Sequence, residues 1–210
     1  SDEREEMNLL ILKEIDKAIE EAELIILGPG SLYTSVIPNL LIQDIVEAVG
    51  RSKAPRVYVS NIMTQPGETD GFSVGDHVAA IHAHTYDKLV NTVFVNEGLP
   101  DSLIKRYQDA NCTPVLVDTE RCAQELGVEI VSKHLLDDGE VKTVRHNPKK
   151  LARAIIGWYK DNYRSKITDD MLDEPLTGYN GVAQESAISS GHLSTEAESS
   201  ERVETAVLNS

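Results

Sequence analysis

The chain has 210 residues, 40% of them hydrophobic, with 20 Lys and Arg against 35 Asp and Glu and a formal charge of −15. That length can bury a sizeable core, while the acidic balance argues against a protein built to grip nucleic acid or an anionic membrane. No apolar run exceeds four residues, Leu24–Leu27 among them, so no segment of the sequence reads as a bilayer-spanning helix.

In chain order, the start Ser1 to Glu6 is acidic, the opposite of a secretory leader. Ile11, Ile15, Ala18 and Ala22 share one face at the helical period and predict a helix over 9–22. β-Branched and apolar runs predict strands at Leu24–Leu27, Arg56–Ser60, Thr92–Asn96, Pro114–Asp118 and Val128–Ser132. Between them, Pro38 opens a helix with Leu41, Ile45, Val46 and Val49 on its apolar face and Gly50 as its stop. Ser73 to Asp76 has the form of a capping box and starts a third helix through Val78 and Ile81. Pro100 and Asp101 open a fourth, and Asn147 and Pro148 open a last one carrying Leu151, Ala154, Ile155 and Trp158 on one face.

This alternation predicts an α/β fold with a doubly wound, mostly parallel sheet. The first helix has no strand before it, so residues 1–164 are expected to be the C-terminal part of such a domain, its N-terminal strands lying outside the chain. Residues 165–210 carry −7 of the −15 and are rich in Ser, Thr and Gly. They are expected to be a disordered acidic tail, with a weak amphipathic stretch around Val203–Leu208.

Ligands of open parallel sheets sit beyond the carboxyl ends of the strands, where helix N-termini present free N–H groups. The first strand runs into Gly28–Ser35, where Gly28 and Gly30 permit close backbone approach and Ser31, Thr34 and Ser35 add hydroxyls. Such a loop suits a phosphate or pyrophosphate, though a plain turn with capping hydroxyls is nearly as good a reading. The second strand runs into the long loop Asn61–Asp70, where Asn61, Thr64, Gln65, Glu68, Thr69 and Asp70 crowd around a Pro66–Gly67 turn. Asn61 and Gln65 can read an amide or base edge, Thr64 and Thr69 can hold ribose or phosphate oxygens, and Glu68 and Asp70 suit a divalent ion or ribose hydroxyls. A self-satisfied loop is the competing reading.

His77, His82 and His84 have no acid or Cys at ligand spacing, so no metal site is assigned. Cys112 and Cys122 lack CxxC spacing, form no disulfide framework and have no activating context. Catalytic residues are therefore unassigned, and the sequence offers a binding site more clearly than a catalytic one.

The stretches Gly28–Leu41 and Asn61–Asp70 together resemble the two signature segments of the YvcK-type gluconeogenesis factors, relatives of the 2-phospho-L-lactate transferases (CofD-like proteins). The resemblance runs from about Ala18 to about Tyr163. It implies a Rossmann-like fold and a cytoplasmic bacterial protein that binds nucleoside diphosphates, with UDP-sugars as the ligand class. The implied role is regulation of cell shape and wall-precursor supply during gluconeogenic growth. The matching site positions are Gly28, Gly30, Ser31, Tyr33 and Thr34, then Asn61, Thr64, Gln65, Thr69 and Asp70. A transferase of phosphorus-containing groups, aided by Mg²⁺, is the alternative; without it no cofactor is expected. No nucleic-acid or membrane partner is expected, and a homo-oligomer is left open. The family's Gly-rich N-terminal turn, which would form half of the nucleotide site, has no counterpart in this sequence.

Overall fold

The computed structural model describes residues 2–86, 88–108, 110–137, 143–163 and 205–208. Its centre is a parallel sheet of β1 (Leu24–Leu27), β2 (Arg56–Val59), β3 (Thr92–Asn96) and β4 (Glu129–Lys133). A fifth strand, β5 (Thr205–Leu208), lies parallel to β1 on its other side, giving the spatial order β4-β3-β2-β1-β5. Register is set by pairs such as Ile26 with Val57, Tyr58 with Val93 and Phe94 with Val131.

Because β1 to β4 follow one another in a single direction, right-handed crossovers place the connecting helices on one face. The packing agrees. Ile45, Ala48 and Val49 of α3 (Gln43–Arg51), Val78 and Ile81 of α4 (Val74–Ala83) and Cys122 of α6 (Thr119–Gln124) join one core with Ile25, Leu27, Tyr58, Val93 and Val95. Ile19 of α1 (Asp2–Glu21) and Ala22 just after it close the same core. Alternate strand residues point the other way, and Leu24, Val57, Val59 and Phe94 are covered by Leu151, Ile155 and Trp158 of α7 (Pro148–Tyr163). Phe94 and Trp158 meet edge to face at 5.8 Å. Helices on both faces of a parallel sheet are what the apolar strand runs imply. The strand order turns back at β1, and the crevice beyond the carboxyl end of such a strand is where α/β sheets take ligands.

Several expected elements differ. The first helix starts at Asp2 rather than at residue 9. The helix expected from Pro38 is divided. A π-helical turn (Leu32–Val36), closed by Val36 N–H donating to the Ser31 carbonyl at 3.0 Å, leads into α2 (Ile37–Leu40), and α3 begins after a break. Leu41 falls in that break and is 60% exposed instead of lying on an apolar face. The run Pro114–Asp118 does not enter the sheet. It lies across the loop ends through an antiparallel bridge from Met63 to Pro114 and a parallel one from Ser73 to Leu116. α5 spans Asp101–Gln108 as its Pro100 start predicts, whereas α6 gave no periodic signal. In the tail, residues 165–204 and 209–210 lie outside the described residues, and Thr205–Leu208 is strand β5 instead of part of a disordered segment. Pairing satisfies an edge of β1 that would otherwise expose a row of peptide groups.

His146 precedes α7 in a half-buried position, its Nε2 has no partner among the described residues, and burial pulls its imidazole pKa down to about 4. The unfolded chain therefore takes up this proton at higher pH than the native one, so stability rises with pH between about 4 and 6.5. The contribution present above that window is on the order of 3 kcal/mol and is lost as pH falls through it. Urea unfolding from pH 7 to pH 4 is expected to show this slope, and His146→Leu to flatten it. An unchanged slope in the variant would assign it to other groups.

Candidate functional site

The two polar loops at the carboxyl ends of β1 and β2 meet. Gly28 follows β1 directly with φ +83°, and a Cβ there would stand 3.0 Å from the Val59 carbonyl oxygen at the end of β2. Ser31 then starts the π-helical turn. Its Oγ accepts from Thr34 N–H at 3.1 Å and donates to both carboxylate oxygens of Glu68, at 2.7 and 2.8 Å. That contact joins the loops across 37 residues of sequence.

The N–H groups of Gly30, Ser31, Leu32 and Tyr33 have no acceptor among the described residues. Unpaired N–H groups at the start of a helical turn make a pole that attracts anions. Tyr33 is partly exposed beside this pole, edge-on to Phe72 at 6.4 Å and to His84 at 6.3 Å. Thr34 is exposed on the same turn.

The second loop is braced from inside. Thr69 is fully buried; its Oγ1 accepts from Gln65 N–H at 2.9 Å and its own N–H donates to the Gln65 carbonyl. Thr64 is buried too, its N–H donating to the Thr113 carbonyl at 2.7 Å and its Oγ1 accepting from Thr113 N–H at 2.9 Å. Asp70 accepts from Gly67 N–H at 2.6 Å, holding the Pro66–Gly67 turn. Thr64, Thr69 and Asp70 therefore shape the loop, while Asn61 Nδ2 donates to Gln65 Oε1 at 3.1 Å.

Asn61 also lines a cleft of about 220 Å³ between the ends of β2 and β3. Ser60, Asn96 and Gly98 are its polar wall; Leu99, Ile104, Val115 and Val117 are apolar. This volume is below that of sites that take a whole drug-sized ligand and suits a single ring. Gln65, Thr64, Thr69 and Asp70 do not line it, and neither does the Gly28–Thr34 turn. Asn96 lies outside the two motif segments, and its place at the carboxyl end of a parallel strand is the signal that points to it.

A third group stands at the start of α4, where the sequence predicts the Ser73–Asp76 capping box but not the Asp118 and Arg121 that join it. Ser73 and Asp76 form the capping box there. Asp118 reaches in from the 114–118 segment, accepting from Ser73 Oγ at 2.7 Å and from Gly75 N–H at 2.8 Å, and Arg121 donates to Asp76 at 2.7 Å. Burial pushes the Asp118 carboxyl up, but its hydrogen bonds from Ser73 and Gly75 outweigh this and hold it below the usual carboxylate range. The helix N-terminus at the end of β2 is thus filled by the chain's own carboxylates.

The two histidines of α4 and His84, which caps its end, are each engaged locally. His77 is buried with Nδ1 donating to the Ser73 carbonyl at 2.8 Å, and burial lowers its pKa, leaving a neutral ring between Tyr58 and Phe72. His84 Nδ1 lies 2.8 Å from the Ala80 carbonyl, and His82 Nε2 accepts from Val90 N–H at 3.3 Å. Among the described residues no three His, Cys, Asp or Glu are grouped to hold a metal. Cys122 is buried, and burial pushes its thiol up to about 11, which keeps it protonated and unreactive at neutral pH. No helix among the described residues is long and apolar enough to cross a membrane.

The profile of the 2-phospho-L-lactate transferase CofD family matches residues 3–136, which include both loops and the third strand. The chain belongs to the CofD family. Within it, a Nostoc sp. protein of the gluconeogenesis-factor group is 48% identical over 153 residues, covering 71% of this chain and 33% of that protein. The gluconeogenesis factor of Bacillus subtilis is 38% identical over 151 residues, covering 71% of this chain and 47% of its own length. A crystal structure of a UPF0052 family member from Bacillus halodurans superposes with a TM-score of 0.63 at 41% identity, over 68% of this chain and 45% of that one. The CofD-family chain therefore spans between a third and a half of the length of these relatives.

Proposed function

We propose that this CofD-family chain forms part of a nucleotide-sugar-binding regulator of the gluconeogenesis-factor kind, acting in the cytoplasm on cell shape and wall-precursor supply, with a UDP-sugar as ligand. The observation that carries this reading is the row of N–H groups from Gly30 to Tyr33 that have no acceptor among the described residues, set beyond β1 where the strand order turns back. A diphosphate there accepts backbone hydrogen bonds and needs no lysine or arginine, which suits a chain with an acidic surface. Tyr33 offers a ring face beside the diphosphate, and the Asn61–Asn96 cleft takes one ring of the ligand.

Titration calorimetry of the full-length protein with UDP-N-acetylglucosamine is expected to show binding with a matching rise in Tm. Folded protein giving neither heat nor a thermal shift overturns the reading.

The second reading is a transferase of phosphorus-containing groups, favoured by the matched family's description. Ser31 Oγ and the Glu68 carboxylate are hard oxygen donors of the type Mg²⁺ accepts. Mg²⁺-dependent release of nucleotide from an activated donor in the presence of a deazaflavin acceptor would establish it; intact donor after prolonged incubation would exclude it.

A further inference from the structure

At the amino end of the sheet, opposite the two polar loops, lies a pocket of about 350 Å³. The end of α3, the start of β2 and the turn before β3 enclose it. Its volume falls in the range of small-molecule sites. The wall is cationic although the chain carries −15: Arg51, Arg56 and Lys88 face one acid, Glu47.

Arg56 is half-buried and held from two sides. Its Nε donates to the Leu89 carbonyl at 2.6 Å and its Nη1 to the Ser52 carbonyl at 3.0 Å, which leaves Nη2 with no acceptor among the described residues. No carboxylate pairs with it there. Burial pulls its pKa below the usual guanidinium value, with the neighbouring Tyr163 opposing the shift. Arg51, by contrast, is engaged by Asp16 at 2.7 Å and by Glu47 at 4.0 Å. Lys88 is exposed at the rim in the left-handed region, with φ +63°, and pairs with no acid among the described residues. A guanidinium oriented by main-chain carbonyls, with a donor to spare and a lysine beside it, is equipped to take an anion.

The remaining wall is apolar. Leu89 is buried, whereas Tyr86 is 49% exposed. Gly50 lies within helix α3, where glycine is unfavourable. A Cβ there would stand 3.3 Å from Tyr86 Cδ2 and 3.4 Å from Cε2, so the missing side chain lets the tyrosine ring lie against the helix end. We propose that this pocket is a second binding site, for a small phosphorylated molecule that carries a planar ring. Arg56 and Lys88 hold the phosphate, and Tyr86 and Leu89 cover the ring. The assignment is independent of any ligand at the β1 and β2 loops.

The test is calorimetric titration of the full-length protein with phenyl phosphate and with inorganic phosphate. Wild type is expected to bind phenyl phosphate about tenfold tighter than inorganic phosphate, since the ring buries apolar surface. Arg56→Gln would also free the Ser52 and Leu89 carbonyls, so the charge is tested at Lys88. Glycine suits the backbone there, and Lys88→Gly is expected to weaken both probes about fivefold with Tm unchanged. Glu47→Gln removes the opposing acid and is expected to tighten both about threefold, a gain that mere structural damage does not produce. Gly50→Ala displaces the Tyr86 ring and is expected to abolish the preference for phenyl phosphate; a preference that survives it overturns the ring assignment. Wild type that binds neither probe overturns the site. Binding that Lys88→Gly and Glu47→Gln leave unmoved places the phosphate elsewhere and overturns it equally.

Discussion

Gly28→Ala is expected to lower stability by about 2–5 kcal/mol, and two separable causes contribute. An L-residue held at a φ of +83° is strained by roughly 1–2 kcal/mol. The added methyl would also stand 3.0 Å from the Val59 carbonyl oxygen, 3.5 Å from Gly30 N and 3.7 Å from Tyr58 Cε2. The first of these is main chain at the end of a central strand, and Tyr58 is fully buried, so neither gives way cheaply. Overpacking of this kind costs roughly 1–3 kcal/mol. Gly67 supplies the control: its φ is +78°, but a Cβ there meets nothing within 4 Å. Gly67→Ala should thus cost only the conformational part, roughly 1–2 kcal/mol. Urea unfolding of the two variants separates the effects, and equal shifts in midpoint would show that the approach of Gly28 to β2 carries no energy. Gly28→Ala should also weaken any diphosphate ligand, because relief of the clash moves the Gly30–Tyr33 N–H groups away from the strand end.

The sheet was legible because its strands are buried on both faces and read as near-continuous apolar runs. Leu24–Leu27, Arg56–Val59 and Thr92–Asn96 fall where those runs place them, and the fourth lies within a residue of its expected position. The same rule misread Pro114–Asp118. A short β-branched run has no period that separates a buried strand from an extended segment crossing the loops, and here Leu116 is 68% exposed. Burial, not propensity, distinguishes them. The Pro38 helix illustrates a related loss: its apolar spacing was visible, but the π-helical turn depends on Ser31 accepting hydrogen bonds at its start, which no periodicity records. In the site, the polar loops lie at the strand ends as the sequence places them, but two of their hydroxyls face inward. Thr64 and Thr69 look like ligand hydroxyls in sequence and are buried braces in the fold. Glu68 meets a serine 37 residues away and Asp118 a glycine 43 residues away, and contacts of that span leave no local pattern.

Gly75→Ala should cost about as much as Gly28→Ala, although its backbone is ordinary helix. A Cβ at Gly75 would stand 2.6 Å from Asp118 Oδ2, closer than real Cβ atoms come, and 3.2 Å from Cγ. The carboxylate has to leave, and with it go the hydrogen bonds from Ser73 Oγ and Gly75 N–H. Hydrogen bonds to charged groups contribute roughly 1.5–3 kcal/mol each, and partial exposure of Asp118 brings the expected total to about 2–4 kcal/mol. Asp118→Ala removes the same contacts without the clash and should cost about 1–3 kcal/mol. The decisive measurement is the double variant. If the cost at Gly75 is expulsion of Asp118, then adding Gly75→Ala to Asp118→Ala should change stability by no more than about 0.5 kcal/mol, since Ala is intrinsically the better helix residue. Additive costs in urea unfolding would refute that account. Coupling of this kind also bears on where an anion binds. With Asp118 and Asp76 seated on the start of α4, that helix end is closed to phosphate, whereas the Gly30–Tyr33 N–H groups beside the β2 loop have no acceptor among the described residues.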